Sequence, residues 1–171
     1  MAPPRPVTER VLAALAARGG TLALAESLTG GDVTARLVAV PGASAVLRGG
    51  VVPYATDLKA ELLGVDADLL AAAGPVDARV AAQMAQGAAR RLGADHAVAT
   101  TGVAGPGPAD GAAAGTVYVA ACAPGVVRVR RLALAGTRPL VRRASGDAAL
   151  ALLAGLLADG EHLRVPGRSR Q

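Results

Sequence analysis

Phenylalanine, tryptophan, isoleucine and asparagine are absent from the 171 residues, and aromatics make up only 1 %. With hydrophobic residues at 52 %, the body of the chain cannot be disordered, and its core must be built from leucine, valine and alanine. The single cysteine, Cys122, excludes an internal disulfide. With one cysteine and two histidines, a thiolate–imidazole zinc cluster is not expected either, and neither a metal nor a cofactor is expected. No apolar run reaches the roughly 18 residues of a membrane span; the longest, Ala148 to Ala158, is interrupted at Gly155. The first ten residues carry three prolines and Glu9 in place of an apolar signal core. These absences lead us to expect a cytoplasmic protein with no membrane partner.

Lysine is almost absent too. The 18 basic residues comprise Lys59 and, by subtraction of that one, 17 arginines. Such a balance is what drift toward GC-rich codons leaves, with arginine replacing lysine wherever a simple positive charge suffices. Arginine stays protonated in proteins, whereas burial can neutralise lysine, so the surviving lysine is a candidate for a task arginine cannot perform. The net charge of +5 and pI of about 10.6 raise the possibility of phosphate binding. The arginines are scattered, however, clustering only at 128–131 and 138–143, and almost no aromatic side chain is available to stack on bases. A solvated basic surface or an anion patch is expected, with no nucleic-acid partner.

The length suits one domain. Residues 1–7 are proline-rich and expected to be flexible, and the domain spans 8–158, followed by a flexible tail over 159–171. Thr8 is expected to cap a helix ending near Arg18, at Gly19-Gly20. Thr21–Ala25 reads as a buried strand, 26–31 as a tight turn, and Asp32–Val40 as a helix. Gly49–Ala55 reads as a second strand, and Thr56 is expected to cap a short helix carrying Lys59 and stopping at Gly64. Further helices are expected over Ala67–Ala73 and from the Asp77 cap to Arg91, closed by Gly93. His96–Thr101 is a third strand, with His96 expected at the sheet edge, and 102–114 is a loop. Thr116–Ala123 and Val126–Leu134 form a hairpin around Pro124-Gly125, and Thr137 is expected to cap a helix reaching about Ala158. This order predicts an α/β fold with helices on both faces of a mixed sheet.

In open α/β sheets, sites form beyond the carboxyl ends of strands. Three such loops are rich in glycine, serine and threonine: 26–31, 54–59 and 101–106. Ser27 sits between a strand and a helix start, either as a nucleophile or as a cap. Backbone N–H groups around Thr29, Gly30 and Gly31 are candidates to hold an oxyanion or phosphate. Lys59, if neutral, can take a proton from serine, and Tyr54 can relay it. Arg138 and Arg142, four apart on a helix, share a face and can clamp a phosphate. A solvated basic face is the alternative.

Taken together, Ala25-Glu26-Ser27-Leu28-Thr29-Gly30-Gly31, Pro41-Gly42-Ala43-Ser44, Gly49-Gly50-Val51-Val52, Tyr54, Lys59 and Leu63-Gly64-Val65 resemble the CinA carboxy-terminal domain. Thr101-Gly102-Val103-Ala104-Gly105-Pro106, Gly115-Thr116-Val117, and Gly136 with Arg138 and Val141-Arg142-Arg143 extend the resemblance, which covers roughly residues 8–158. That family includes the PncC-type nicotinamide-nucleotide amidases. The resemblance implies a three-layer α/β/α sandwich with a mixed, mostly parallel sheet. It also implies hydrolysis of the carboxamide of nicotinamide mononucleotide to nicotinate mononucleotide and ammonia. Ser27, Tyr54 and Lys59 fall on the family's catalytic positions. Thr101, with Gly102, and Arg142 resemble ligand-binding positions. The implied partner is a small pyridine nucleotide, and the expected assembly is a homo-oligomer. A catalytically silent nucleotide-binding relative is the alternative. The chain departs from the family pattern at Leu28, where cysteine is frequent, at Asp77, usually serine, and at Thr137, where aspartate is common. Residues 107–114 lack the usual lysine-proline and carry three alanines.

Overall fold

A computed structural model describes residues 5–162. Its five strands are β1 (Leu22–Glu26), β2 (Leu47–Val51), β3 (His96–Gly102), β4 (Thr116–Ala123) and β5 (Val126–Ala133). They form one sheet in the order β2-β1-β3-β4-β5. β1 runs parallel to both β2 and β3, while β4 is antiparallel to β3 and β5. Four of the five strands therefore point the same way, and the sheet is mixed and mostly parallel. The helices are α1 (Val7–Ala16), α2 (Asp32–Val38), α3 (Thr56–Leu63), α4 (Ala67–Ala73), α5 (Ala78–Leu92) and α6 (Arg138–His162). No described helix is long and apolar enough to cross a membrane.

Strand alternation divides the sheet into two unlike faces. Leu22 and Leu24 of β1, Val98 of β3, and Val117 and Val119 of β4 point to one side, where they pack with α1, α2 and α6. Ala23 and Ala25, Ala97 and Ala99, and Ala120 point to the other, against Val80, Ala81, Met84, Ala85 and Ala88 of α5. Without large aromatics, the core is filled by branched aliphatics on one face and by close approach of a helix to a methyl-lined sheet on the other. The three layers follow from these two faces.

Several boundaries differ from expectation for identifiable reasons. β2 is Leu47–Val51, not 49–55: Pro53 has no N–H to donate, and Tyr54 N–H turns back onto the Val52 carbonyl at 2.9 Å. α1 is entered from Pro6, and Thr8 is a buried second residue, not its cap. Ala55, not Thr56, occupies the N-cap of α3. Asp77 does cap α5, accepting from Arg79 N–H at 2.7 Å, and Asp66, unremarked in the sequence, caps α4. α6 continues past Ala158 to His162, so the first residues of the expected tail are helical; 163–171 and 1–4 lie outside the described residues. β3 is the central strand, so His96 begins the middle of the sheet and not an edge.

Candidate active site

The carboxyl ends of β1 and β3 deliver two turns to one place. Ser27 follows β1 directly, its N–H donating to the Thr100 carbonyl of β3 at 3.0 Å. Glu26, the last residue of β1, is buried, and its carboxylate accepts four hydrogen bonds. Gly31 N–H and Val33 N–H donate to Oε2, each at 3.0 Å, and Thr34 N–H and hydroxyl donate to Oε1, each at 2.7 Å. An anion at a helix N-terminus is stabilised by those unpaired donors and by the helix dipole. Glu26 thus caps α2 from five residues upstream and fixes the angle at which Ser27 leaves the strand. The Thr29 hydroxyl meets that of Thr100 at 2.8 Å, tying the turn to β3. Arg142 of α6 closes the turn from outside, donating from Nε to the Leu28 carbonyl at 2.9 Å and from a terminal nitrogen to the Thr29 carbonyl at 2.5 Å.

A cavity of about 250 Å³ opens beside Ser27. Its wall includes Leu28, Tyr54, Thr56, Lys59, Thr101, Gly102, the 103–110 loop and Arg138. Lys59, on α3, is 1 % exposed and is the largest fully buried side chain described. Its amine donates to the Pro53 carbonyl at 2.9 Å and the Tyr54 carbonyl at 3.3 Å. Burial pulls the Lys59 pKa below the ordinary lysine value, while the Asp110 and Asp57 carboxylates work in the opposite direction. Tyr54 is largely exposed; its hydroxyl accepts from Arg138 at 3.1 Å, and Arg138 also donates to the Gly105 carbonyl at 3.0 Å. Thr101 donates to the Pro75 carbonyl at 2.7 Å, holding the segment before α5 against β3. Gly102 has φ of 155°, and a Cβ there would stand 2.5 Å from the Thr116 carbonyl oxygen, so only glycine lets the loop leave the strand at this angle.

The residues singled out in the sequence thus divide. Ser27, Tyr54, Lys59, Thr101, Gly102 and Arg138 share the cavity wall. Thr29, Gly30, Gly31 and Arg142 stand behind it as the scaffold of the Ser27 turn. The Gly30 and Gly31 N–H groups expected to face an oxyanion are already occupied, by the Ser27 carbonyl at 3.1 Å and by Glu26. Among the described residues, the Leu28 and Thr29 N–H groups of the same turn have no acceptor. Lys59 meets Tyr54 through the backbone carbonyl and not through the phenol, and no hydrogen bond joins Ser27 directly to Lys59. Glu26 and Thr100 were missed, although a carboxylate ending an apolar strand just before a helix start is a readable signal of capping.

The family model of the CinA C-terminal domain matches residues 5–157. The chain belongs to the CinA C-terminal domain family. It is 49 % identical over 148 residues to a CinA-like protein of Frankia casuarinae, covering 86 % of this chain and 34 % of that one. It is 48 % identical over 156 residues to a CinA-like protein of Mycolicibacterium gilvum, covering 90 % of this chain and 36 % of the relative. The chain therefore spans about a third of the length of these curated relatives. Among solved structures, a competence-damaged protein (CinA) superfamily protein of Klebsiella pneumoniae superposes with a TM-score of 0.85 at 37 % identity, over 90 % of this chain and 96 % of that one. A competence/damage inducible protein of Agrobacterium tumefaciens gives 0.84 at 34 % identity, over 91 % and 99 %. The mixed α/β architecture of this CinA domain is that of its solved relatives.

Proposed function

We propose that this CinA domain is an amidohydrolase that converts nicotinamide mononucleotide and water to nicotinate mononucleotide and ammonia through an acyl-enzyme on Ser27. The observation that carries the reading is a buried lysine, displaced toward its neutral form, in the same cavity wall as a serine held on a strand-to-helix turn. In this mechanism the substrate carboxamide bridges the space between the two side chains. Ser27 Oγ attacks the amide carbon while neutral Lys59 accepts the hydroxyl proton. The tetrahedral intermediate collapses as Lys59 returns that proton to the departing nitrogen, and ammonia leaves. Water then attacks the ester, Lys59 again taking and returning a proton, to release the carboxylate and free Ser27.

The Leu28 N–H group replaces those of Gly30 and Gly31 as our oxyanion donor, since the residue after a nucleophile commonly supplies one. Arg142 and Glu26 act as positioning residues for that turn. Tyr54 holds the Lys59 amine through its carbonyl, and its phenol keeps Arg138 at the mouth, where a guanidinium suits the 5′-phosphate. Every group in this scheme belongs to the chain itself, so ammonia release is expected to survive EDTA; loss on chelation with recovery on adding zinc or magnesium would overturn the scheme. The test of the function itself is ammonia release from nicotinamide mononucleotide by the purified protein, beside Ser27→Ala. Binding without ammonia release would instead identify a silent nucleotide-binding relative.

A further inference from the structure

Residues 107–114 are one place where this chain departs from the family pattern, and they carry an unusual backbone feature. Asp110 has φ of 51°, the one positive value among the described non-glycine residues, and Gly111 follows at 74°. Ala109 N–H donates to the Ala112 carbonyl at 3.1 Å and Ala112 N–H to the Ala109 carbonyl at 2.9 Å. This is a two-residue hairpin of the Asp-Gly kind, in which both central residues take positive φ. Its tip forms part of the cavity wall that holds Ser27 and Lys59. Among the described residues the Asp110 carboxylate has no hydrogen bond or ion pair. Arg138 lines the same cavity, engaged by Tyr54 and Gly105. The wall thus holds one unpartnered, exposed anion and one anchored cation beside a lysine whose charge burial disfavours.

We propose that Asp110 is a specificity-determining residue whose carboxylate selects a positively charged pyridinium ring over neutral rings of the same shape. The choice of ring rests on the amidase reading. A nicotinamide substituted on its ring nitrogen carries a formal positive charge there, whereas free nicotinamide and the dihydro form are neutral. The substrate proposed above is a pyridinium at one end and a phosphate at the other, opposite in sign to Asp110 and Arg138 respectively. An opposite charge a few ångströms away in a partly hydrated cavity is worth about three- to tenfold in affinity. The same carboxylate holds Lys59 toward its protonated form, against the larger effect of burial, and Asp57 adds to it. Selecting for the cation therefore comes with a higher pH threshold for the base.

The test compares binding of 1-methylnicotinamide, a pyridinium, and nicotinamide to the Ser27→Ala protein by calorimetry, with and without Asp110→Asn. Asparagine tolerates positive φ, so the hairpin is retained, and thermal melting verifies it. The cation is expected to bind about three- to tenfold more tightly than the neutral ring, with Asp110→Asn erasing that ratio and leaving nicotinamide affinity in place. In the Ser27-containing protein, Asp110→Asn is expected to move the acid limb of kcat/KM to lower pH, because Lys59 then loses its proton more readily. A ratio unchanged by Asp110→Asn, or no preference in the parent, overturns the proposal. Ammonia release from nicotinamide mononucleotide is read separately. Its absence alongside an Asp110-dependent preference sinks the amidase and keeps the selectivity, and its presence with an indifferent Asp110 does the reverse.

Discussion

At the scale of single residues, Lys59 carries the sharpest expectation. A general base must shed its proton near working pH, whereas an ordinary lysine titrates at about 10.4 and arginine above about 12. Lys59→Arg is therefore expected to fold less stably and to turn over at or near the Lys59→Ala level, although charge is kept. Near-normal kcat in a folded Lys59→Arg protein would reduce the lysine to an electrostatic helper. Ser27→Ala is expected to abolish turnover while melting close to the parent, because its hydroxyl holds no element in place among the described residues; retained turnover would remove Ser27 from the mechanism. Lys59 was legible because codon drift had spared it, and Ser27 because a glycine-rich turn follows an apolar strand. The Gly30 and Gly31 N–H groups expected to face an oxyanion are engaged elsewhere for a physical reason. The sequence reveals that a helix start offers free N–H groups, but not that the Ser27 carbonyl takes that of Gly30 while Glu26 reaches across the turn and takes that of Gly31. Which atom of Tyr54 meets the lysine was likewise hidden, since it depends on how Pro53 turns the chain after β2.

At the scale of elements, the joints between helices and strands rest on a few close approaches. Replacing Glu26 with alanine strips the acceptor from four buried or half-buried donors at the start of α2. A loss of about 2–4 kcal/mol is expected, with Glu26→Gln losing less; urea unfolding monitored by circular dichroism measures it. At Gly87 in α5, a Cβ would fall 2.1 Å from the Leu63 carbonyl oxygen at the end of α3. Gly87→Ala must therefore push α3 and its lysine outward, and it is expected to lower the melting temperature and weaken turnover together, despite alanine's higher helix propensity. Element ends were readable at several positions marked by glycine or a capping aspartate, as at Gly64, Asp77 and Gly93. They were misread where a threonine stood one position inside the helix, or where an apolar run continued past the last strand hydrogen bond. The sheet order β2-β1-β3-β4-β5 is beyond local pattern altogether, because it records which strands meet after long crossovers.

At the scale of the whole molecule, two bases whose pKa burial lowers, the buried Lys59 and the half-buried His96, tie stability to pH. His96, half-buried at the start of the central strand with Nδ1 unpartnered among the described residues, has its pKa lowered by burial. The unfolded chain then holds more protons than the folded one as pH falls through about 6.5, so stability is present above that value and is lost toward the lowered folded pKa. Lys59 follows the same sign from about 10.4 downward. Melting temperature is expected to decline on acidification below about 6.5, and His96→Gln is expected to flatten that decline; an unchanged profile would remove His96 from the account. The two unlike faces of the sheet bear on something broader, the direction in which this chain can evolve. On the side of α1, α2 and α6, shrinking a residue such as Leu24 opens a void costing about 2–5 kcal/mol. On the side of α5, alanine is already the floor, and enlarging Ala25, Ala99 or Ala120 forces the helix off the sheet at about 1–3 kcal/mol. A saturation scan should therefore alternate along β1, with Leu22 and Leu24 tolerating only large residues and Ala23 and Ala25 only small ones. Drift toward alanine-coding triplets would then be nearly free on one face of the sheet and blocked on the other.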